Sequence, residues 1–121
     1  NRDERYFSVW AYDLETQHEW EVVSSSEWAA IQPTWSRDGK YIAFTTVYKS
    51  PVSKHEHRSD KGDDIWIVNR NGGLPPIQIT SGEEPESWPV WGPDNRIFFL
   101  RETGKRRNIW SVRANIVDYL D

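Results

Sequence analysis

A tryptophan recurs along this chain at a fixed interval, and that interval limits the fold more than any other feature of the sequence. Trp10 to Trp35 spans 25 residues, and Trp66 to Trp91 spans the same 25. The neighbours repeat as well. Val9-Trp10-Ala11-Tyr12, Ile65-Trp66-Ile67-Val68 and Ile109-Trp110-Ser111-Val112 match one another. Pro33-Thr34-Trp35-Ser36-Arg37-Asp38-Gly39-Lys40-Tyr41-Ile42-Ala43-Phe44 lines up, without a gap, on Pro89-Val90-Trp91-Gly92-Pro93-Asp94-Asn95-Arg96-Ile97-Phe98-Phe99-Leu100. The other half of the period varies: Trp35 to Trp66 is 31 residues, and Trp91 to Trp110 is 19.

The excess of 12 residues falls between Val47 and Asp63, so one connection carries an insertion, and without it the period is 44. A period of about 40–50 residues is that of a four-stranded propeller blade. Each period predicts four short strands. The Pro-x-Trp segment is the first. A turn follows at Asp38-Gly39 or Asp94-Asn95, residues that accept positive φ. The second strand, Tyr41–Val47 or Arg96–Arg101, is apolar on successive residues, as a strand covered on both faces would be. The Ile-Trp-x-Val segment is the third. A turn at Asn71-Gly72-Gly73, or around Glu15–Gln17, leads to the fourth, Ile77–Thr80 or Glu21–Ser24. Residues 114–121 read equally as a short helix or an edge strand.

The predicted class is all-β: a β-propeller fragment of about two four-stranded antiparallel blades plus flanking strands. One segment covers residues 1–121, with a partial blade at 6–24, a blade at 33–80 carrying the insertion 48–63, and a partial blade at 88–113. Propellers close with about four to eight blades. Rows of Trp, Ile and Phe at the outer faces are therefore expected to be covered by further blades, by a homo-oligomer that closes the propeller, or by a protein partner. The chain begins at Asn1 and contains no Met, which predicts a processed, excised or partial polypeptide.

Composition narrows the function classes. The net charge of −4 argues against a general nucleic-acid binder, which presents a basic surface. With no cysteine, disulfides, thiolate metal sites and Cys nucleophiles are excluded within these residues. No apolar run approaches the ~20 residues that a membrane-spanning helix needs. No nucleophile elbow, His-Glu-x-x-His, P-loop or dinucleotide glycine pattern occurs, so no enzyme chemistry is expected and no cofactor is implied.

The segments Pro-x-Trp-Ser-x-Asp-Gly-Lys-x-Ile-Ala-Phe, Asp-Ile-Trp-x-Val-x-x-x-Gly-Gly and a short Ile-Thr resemble the PD40 (WD40-like) repeat of TolB-like β-propellers. The resemblance runs from about Phe7 to Val112. The chain departs from the pattern at Gly92-Pro93-Asp94-Asn95, where Ser-Pro-Asp-Gly is usual, and at residues 48–63. The resemblance implies a non-catalytic protein-interaction or structural subunit of a bacterial envelope or extracellular assembly, in the periplasm or outside the cell. A second implied role is the gating propeller of a prolyl-oligopeptidase-type serine peptidase whose catalytic domain lies outside this chain.

In a four-stranded blade, the connections from strand two to three and from strand four to one share one face. Loops 48–63, 102–107, 25–32 and 81–88 therefore gather there, and loops on a rigid scaffold carry function. Partner-binding candidates on that face are the off-motif Trp28 and Trp88, Lys54, His55, His57 and Arg58 of the insertion, and Arg106 and Arg107. Trp anchors with a mixed-charge rim suit protein recognition. The insertion reads equally as a tolerated surface loop. The five repeat tryptophans are assigned to packing between blades. His55 and His57 have no clear third ligand, and Glu83, Glu84 and Glu86 lack the spacing of a calcium loop, so no metal site is expected.

Overall fold

β-Branched and aromatic residues at alternate positions, broken by Gly, Asn and Asp turns, produce short strands and little else. In the computed structural model, which describes residues 7–48, 63–80 and 84–114, these strands form antiparallel sheets of two, four and three members. Blade 1 pairs β1 (Val9–Tyr12) with β2 (Glu19–Val23). Blade 2 runs in order β3 (Trp28–Trp35), β4 (Tyr41–Tyr48), β5 (Asp64–Asn69), β6 (Ile77–Gln78). Blade 3 runs β7 (Glu86–Trp91), β8 (Arg96–Thr103), β9 (Arg106–Arg113), with a 3₁₀ turn at Pro93–Asn95.

Face-to-face stacking of these sheets generates two apolar layers. Between blades 1 and 2 lie Val9, Ala11 and Val22 on one side and Ile42, Phe44 and Val68 on the other, with Trp20, Trp28 and Trp66 packed against them. Between blades 2 and 3 lie Tyr41, Ala43, Ile65 and Ile67 against Trp91, Ile97 and Phe99. β4 is buried from Tyr41 through Thr46 because it has a neighbour on both faces. β8 alternates instead: Ile97 and Phe99 are buried against blade 2, whereas Phe98 is exposed. The expectation that both faces of β8 are covered fails among the described residues, because blade 2 covers only one of them.

The gapless repeat alignment also needs correction. Trp35 pairs with Ile42, but Trp91 pairs with Ile97, so the second hairpin is one residue shorter. Ile97 thus stands where Ile42 does, and Phe99 where Phe44 does. The shorter turn is carried by Asp94 and Asn95, both at positive φ (62° and 56°). The longer one is held by Ser36, whose Oγ donates to Asp38 Oδ1 at 2.7 Å and accepts the Tyr41 N–H at 3.0 Å. With this one-residue shift, blades 2 and 3 present the same Trp–Ile–Phe–Trp–Val face toward the blade before each. A one-residue error in register would have reversed every side chain.

That rule places the repeat tryptophans. Trp91 is buried and Trp66 half-buried, as inter-blade packing requires. Trp10 is exposed because its face looks away from blade 2, and Trp35 because it faces beyond the two strands of blade 1. Packing between blades therefore accounts for Trp66 and Trp91, while Trp10, Trp35 and Trp110 remain substantially exposed among the described residues.

Two local contacts pin blade 1 to blade 2. Trp20 Nε1 donates to the Arg70 carbonyl at 2.8 Å. Gly72, at φ 72°, approaches so closely that a Cβ there would sit 2.8 Å from the Val22 carbonyl oxygen, so only glycine fits.

Candidate functional site

Strand one of blades 2 and 3 starts earlier than the repeat predicts. Residues 28–32 and 86–88, expected in loops, belong to β3 and β7. Likewise β8 and β9 extend to Thr103 and from Arg106, which leaves a tight turn where a loop over 102–107 is expected. Cross-strand hydrogen bonds continue because the ladder has partners to the end: Glu102 pairs with Arg107 and Thr103 with Arg106.

The extension decides where the candidate residues go. Trp28 is not an exposed anchor. Its ring packs with Phe44 at 6.0 Å and Trp66 at 5.8 Å, within the layer between blades 1 and 2. Trp88 is the opposite case, 58% exposed at a bulge in β7 where the register to β8 shifts. Its φ of 57° is rare for a bulky residue, and Gln32 at the matching bulge of β3 has φ 56°. Gln32 Oε1 accepts both the Trp88 N–H at 2.9 Å and the Thr45 hydroxyl at 2.8 Å, which locks the bulge to the neighbouring blade. Arg106 and Arg107 lie exposed at the start of β9. Lys54, His55, His57 and Arg58 lie outside the described residues.

Trp88 and Arg107 meet at a cleft of about 230 Å³, shared with Asp63, Pro85, Leu100 and Glu102. Two backbone bonds shape its floor. The Glu86 N–H donates to the Asp63 carbonyl at 2.8 Å, and the Glu102 N–H to the Pro85 carbonyl at 3.0 Å. Beneath it, Glu86 is 1% exposed and paired with Arg101 at 2.9 Å. The Arg101 guanidinium carbon lies 4.4 Å from the centroid of the Trp110 ring, a cation–π distance. Arg107 lies 3.4 Å from Glu102 in a solvated pair, which contributes little stability.

Burial, and secondarily the negative charge of Glu102, hold the Asp63 carboxyl above its ordinary value of 3.8. The folded chain thus binds that proton more tightly than the unfolded chain. The associated stability is full below the unfolded value and is lost as pH rises through the raised one. Asp63→Asn is therefore expected to stabilise the chain at pH 7, by less than about 1 kcal/mol because the group is only half-buried. Urea midpoints at pH 7 and pH 3 check this: the gain should be present at the first and absent at the second.

The sequence pointed to Trp88 and Arg107 but missed Glu86, Arg101, Glu102 and Asp63 as one cluster. Their separations along the chain hid the grouping. Cross-strand pairing of Glu86 with Arg101 and Glu102 with Arg107 brings them together. Among the described residues, no group of three His, Cys, Asp or Glu side chains is placed to hold a metal ion.

Antiparallel blades stacked face to back, with the first strands of blades 2 and 3 bulged at the same position, define a β-propeller segment. No family model and no curated relative matches the sequence. Among solved structures, the chain is similar to a protein assigned as TolB from Agrobacterium tumefaciens. The TM-score is 0.66 at 16% identity, over 88% of this chain and 37% of that one. The chain thus spans a little over a third of that protein, and the likeness shows the fold.

Proposed function

We propose that this chain is a non-catalytic propeller module that binds a protein partner or supports a larger assembly through its loop-end surface and its open blade faces. The observation that carries the reading is Trp88, a large ring exposed at the mouth of a cleft whose walls carry carboxylates and an arginine. Exposed aromatic anchors beside charged groups are what protein interfaces use. The open faces support the same reading. Trp10, Tyr12 and Trp35 are exposed at one end of the stack, and Val90, Phe98 and Ile109 at the other. Apolar surfaces of this kind are covered in working assemblies. The resemblance of the repeat to TolB-like propellers supports a periplasmic or extracellular setting. In mechanism, the stacked sheets are the rigid support, and the strand-end residues are held on it.

Light scattering behind size exclusion, with near-ultraviolet dichroism to report tryptophan packing, tests the proposal on the 121-residue chain. A discrete oligomer with an ordered tryptophan signal is expected, as copies cover one another's open faces. A monomer with an equally ordered signal, unchanged over a hundredfold range of concentration, would show that these faces need no cover and would sink the reading.

A further inference from the structure

The seat that blade 2 offers to blade 3 has a counterpart on blade 3 itself. Strand register puts Trp88, Leu100 and Glu102 where Gln32, Thr45 and Val47 stand one blade earlier. The pairing of β9 with β8 likewise puts Arg107 in the place of Asp63. In blade 2 an extended backbone fills that seat. The start of β7 crosses it, with the Glu86 N–H on the Asp63 carbonyl and the Trp88 N–H on Gln32 Oε1, at 2.8 and 2.9 Å. These donors are two residues apart, which is the period of a strand.

On blade 3 the register and the bulge persist and the chemistry changes. The amide oxygen of Gln32 gives way to the indole of Trp88, which accepts no hydrogen bond but offers a π face. The apolar Val47 gives way to the carboxylate of Glu102. Asp63 reaches the same cleft from blade 2 and adds a second carboxylate. A volume of about 230 Å³ holds one long side chain and excludes a folded surface.

We propose that this cleft seats an extended segment of a partner protein and takes one of its arginine or lysine side chains between the Trp88 ring and the carboxylates of Glu102 and Asp63. The inference rests on the reading of the loop end as a partner surface and names what that surface recognises. A cation over an exposed indole and beside two carboxylates gains from both. Arg107 already lies 3.4 Å from Glu102, but its side chain is 66% exposed, so it swings into water at small cost. The incoming cation also relieves the repulsion between Asp63 and Glu102.

Isothermal titration of the 121-residue chain with the pentapeptide acetyl-Ser-Val-Arg-Val-Ser-amide, and with its uncharged citrulline counterpart, tests the proposal. The arginine peptide is expected to bind about tenfold more tightly than the citrulline one. Glu102→Gln and Trp88→Ala should each weaken it about three- to tenfold, the effect of one partly solvated charge contact or one cation–π contact. Arg37→Ala, on the exposed turn between β3 and β4 and outside the cleft, should leave it unchanged. Glu102 is 45% exposed, so Glu102→Gln tests the charge without disturbing the core even if Trp88→Ala fails to fold. Equal binding of the two peptides overturns the cation receptor and leaves the partner surface standing. Absence of binding by either, or binding that both cleft variants leave intact, overturns the seat; the solution mass judges the proposed function separately.

Discussion

Truncation of Phe44 to alanine is expected to cost about 3–5 kcal/mol of unfolding free energy, the range for deleting a fully buried phenylalanine. Phe44 is 0% exposed at the middle of the layer between blades 1 and 2. It faces Trp66 across the β4–β5 ladder and lies 6.0 Å from the ring of Trp28. The cavity left by alanine is lined by indoles that cannot collapse into it without leaving their own partners. A domain of this size has about 5–15 kcal/mol in total, so the loss removes a large share. Urea denaturation reports it as a lower midpoint at unchanged slope. Near-ultraviolet dichroism should fall with it, because Trp28 and Trp66 lose the surface that orders them. Phe44→Leu keeps most of the volume and should cost less. A loss under 1 kcal/mol for Phe44→Ala would mean that blades 1 and 2 are not stacked as described.

The second large effect belongs to Arg101. Arg101→Met keeps the apolar stem over Trp110 but leaves Glu86 with no counter-charge. Glu86 is 1% exposed, and its Oε1 has no hydrogen-bond partner among the described residues. Removing one member of a buried ion pair costs about 3–5 kcal/mol. The Arg101 side chain is 26% exposed, so about 3 kcal/mol, the lower end, is expected. Replacing both groups, as Glu86→Leu with Arg101→Met, should recover most of the loss, because it is the uncompensated carboxylate that costs. Denaturation of the four proteins of this cycle measures the coupling. If Arg101→Met alone costs under 1 kcal/mol, water reaches Glu86 and the pair is a surface contact.

The two residues differ in how visible they are in the sequence. Phe44 sits in the repeated Ile42-Ala43-Phe44 run, and its burial follows from that run. The Glu86–Arg101 pair has no motif. Blade 2 has Ala30 and Thr46 at the matching register positions, so no repeat predicts it. Trp28 and Trp88 look alike as off-motif tryptophans, yet one is packed against Phe44 and the other stands in a cleft. Only the direction of each side chain across the sheet separates them, and a bulge at Gln32 or Trp88 changes that direction locally.

The sequence by itself determined the class of fold, the strand count per blade and the order of the strands. These follow from a spacing that recurs and from alternation that local sterics translate directly into strands and turns. The tertiary structure decided register, exposure and the site. A one-residue difference between two turns, unmarked in the letters, sets which face every residue of β8 occupies. The cleft exists only where the starts of β5, β7 and β9 and the end of β8 converge, and convergence is a property of stacked sheets that no single strand encodes.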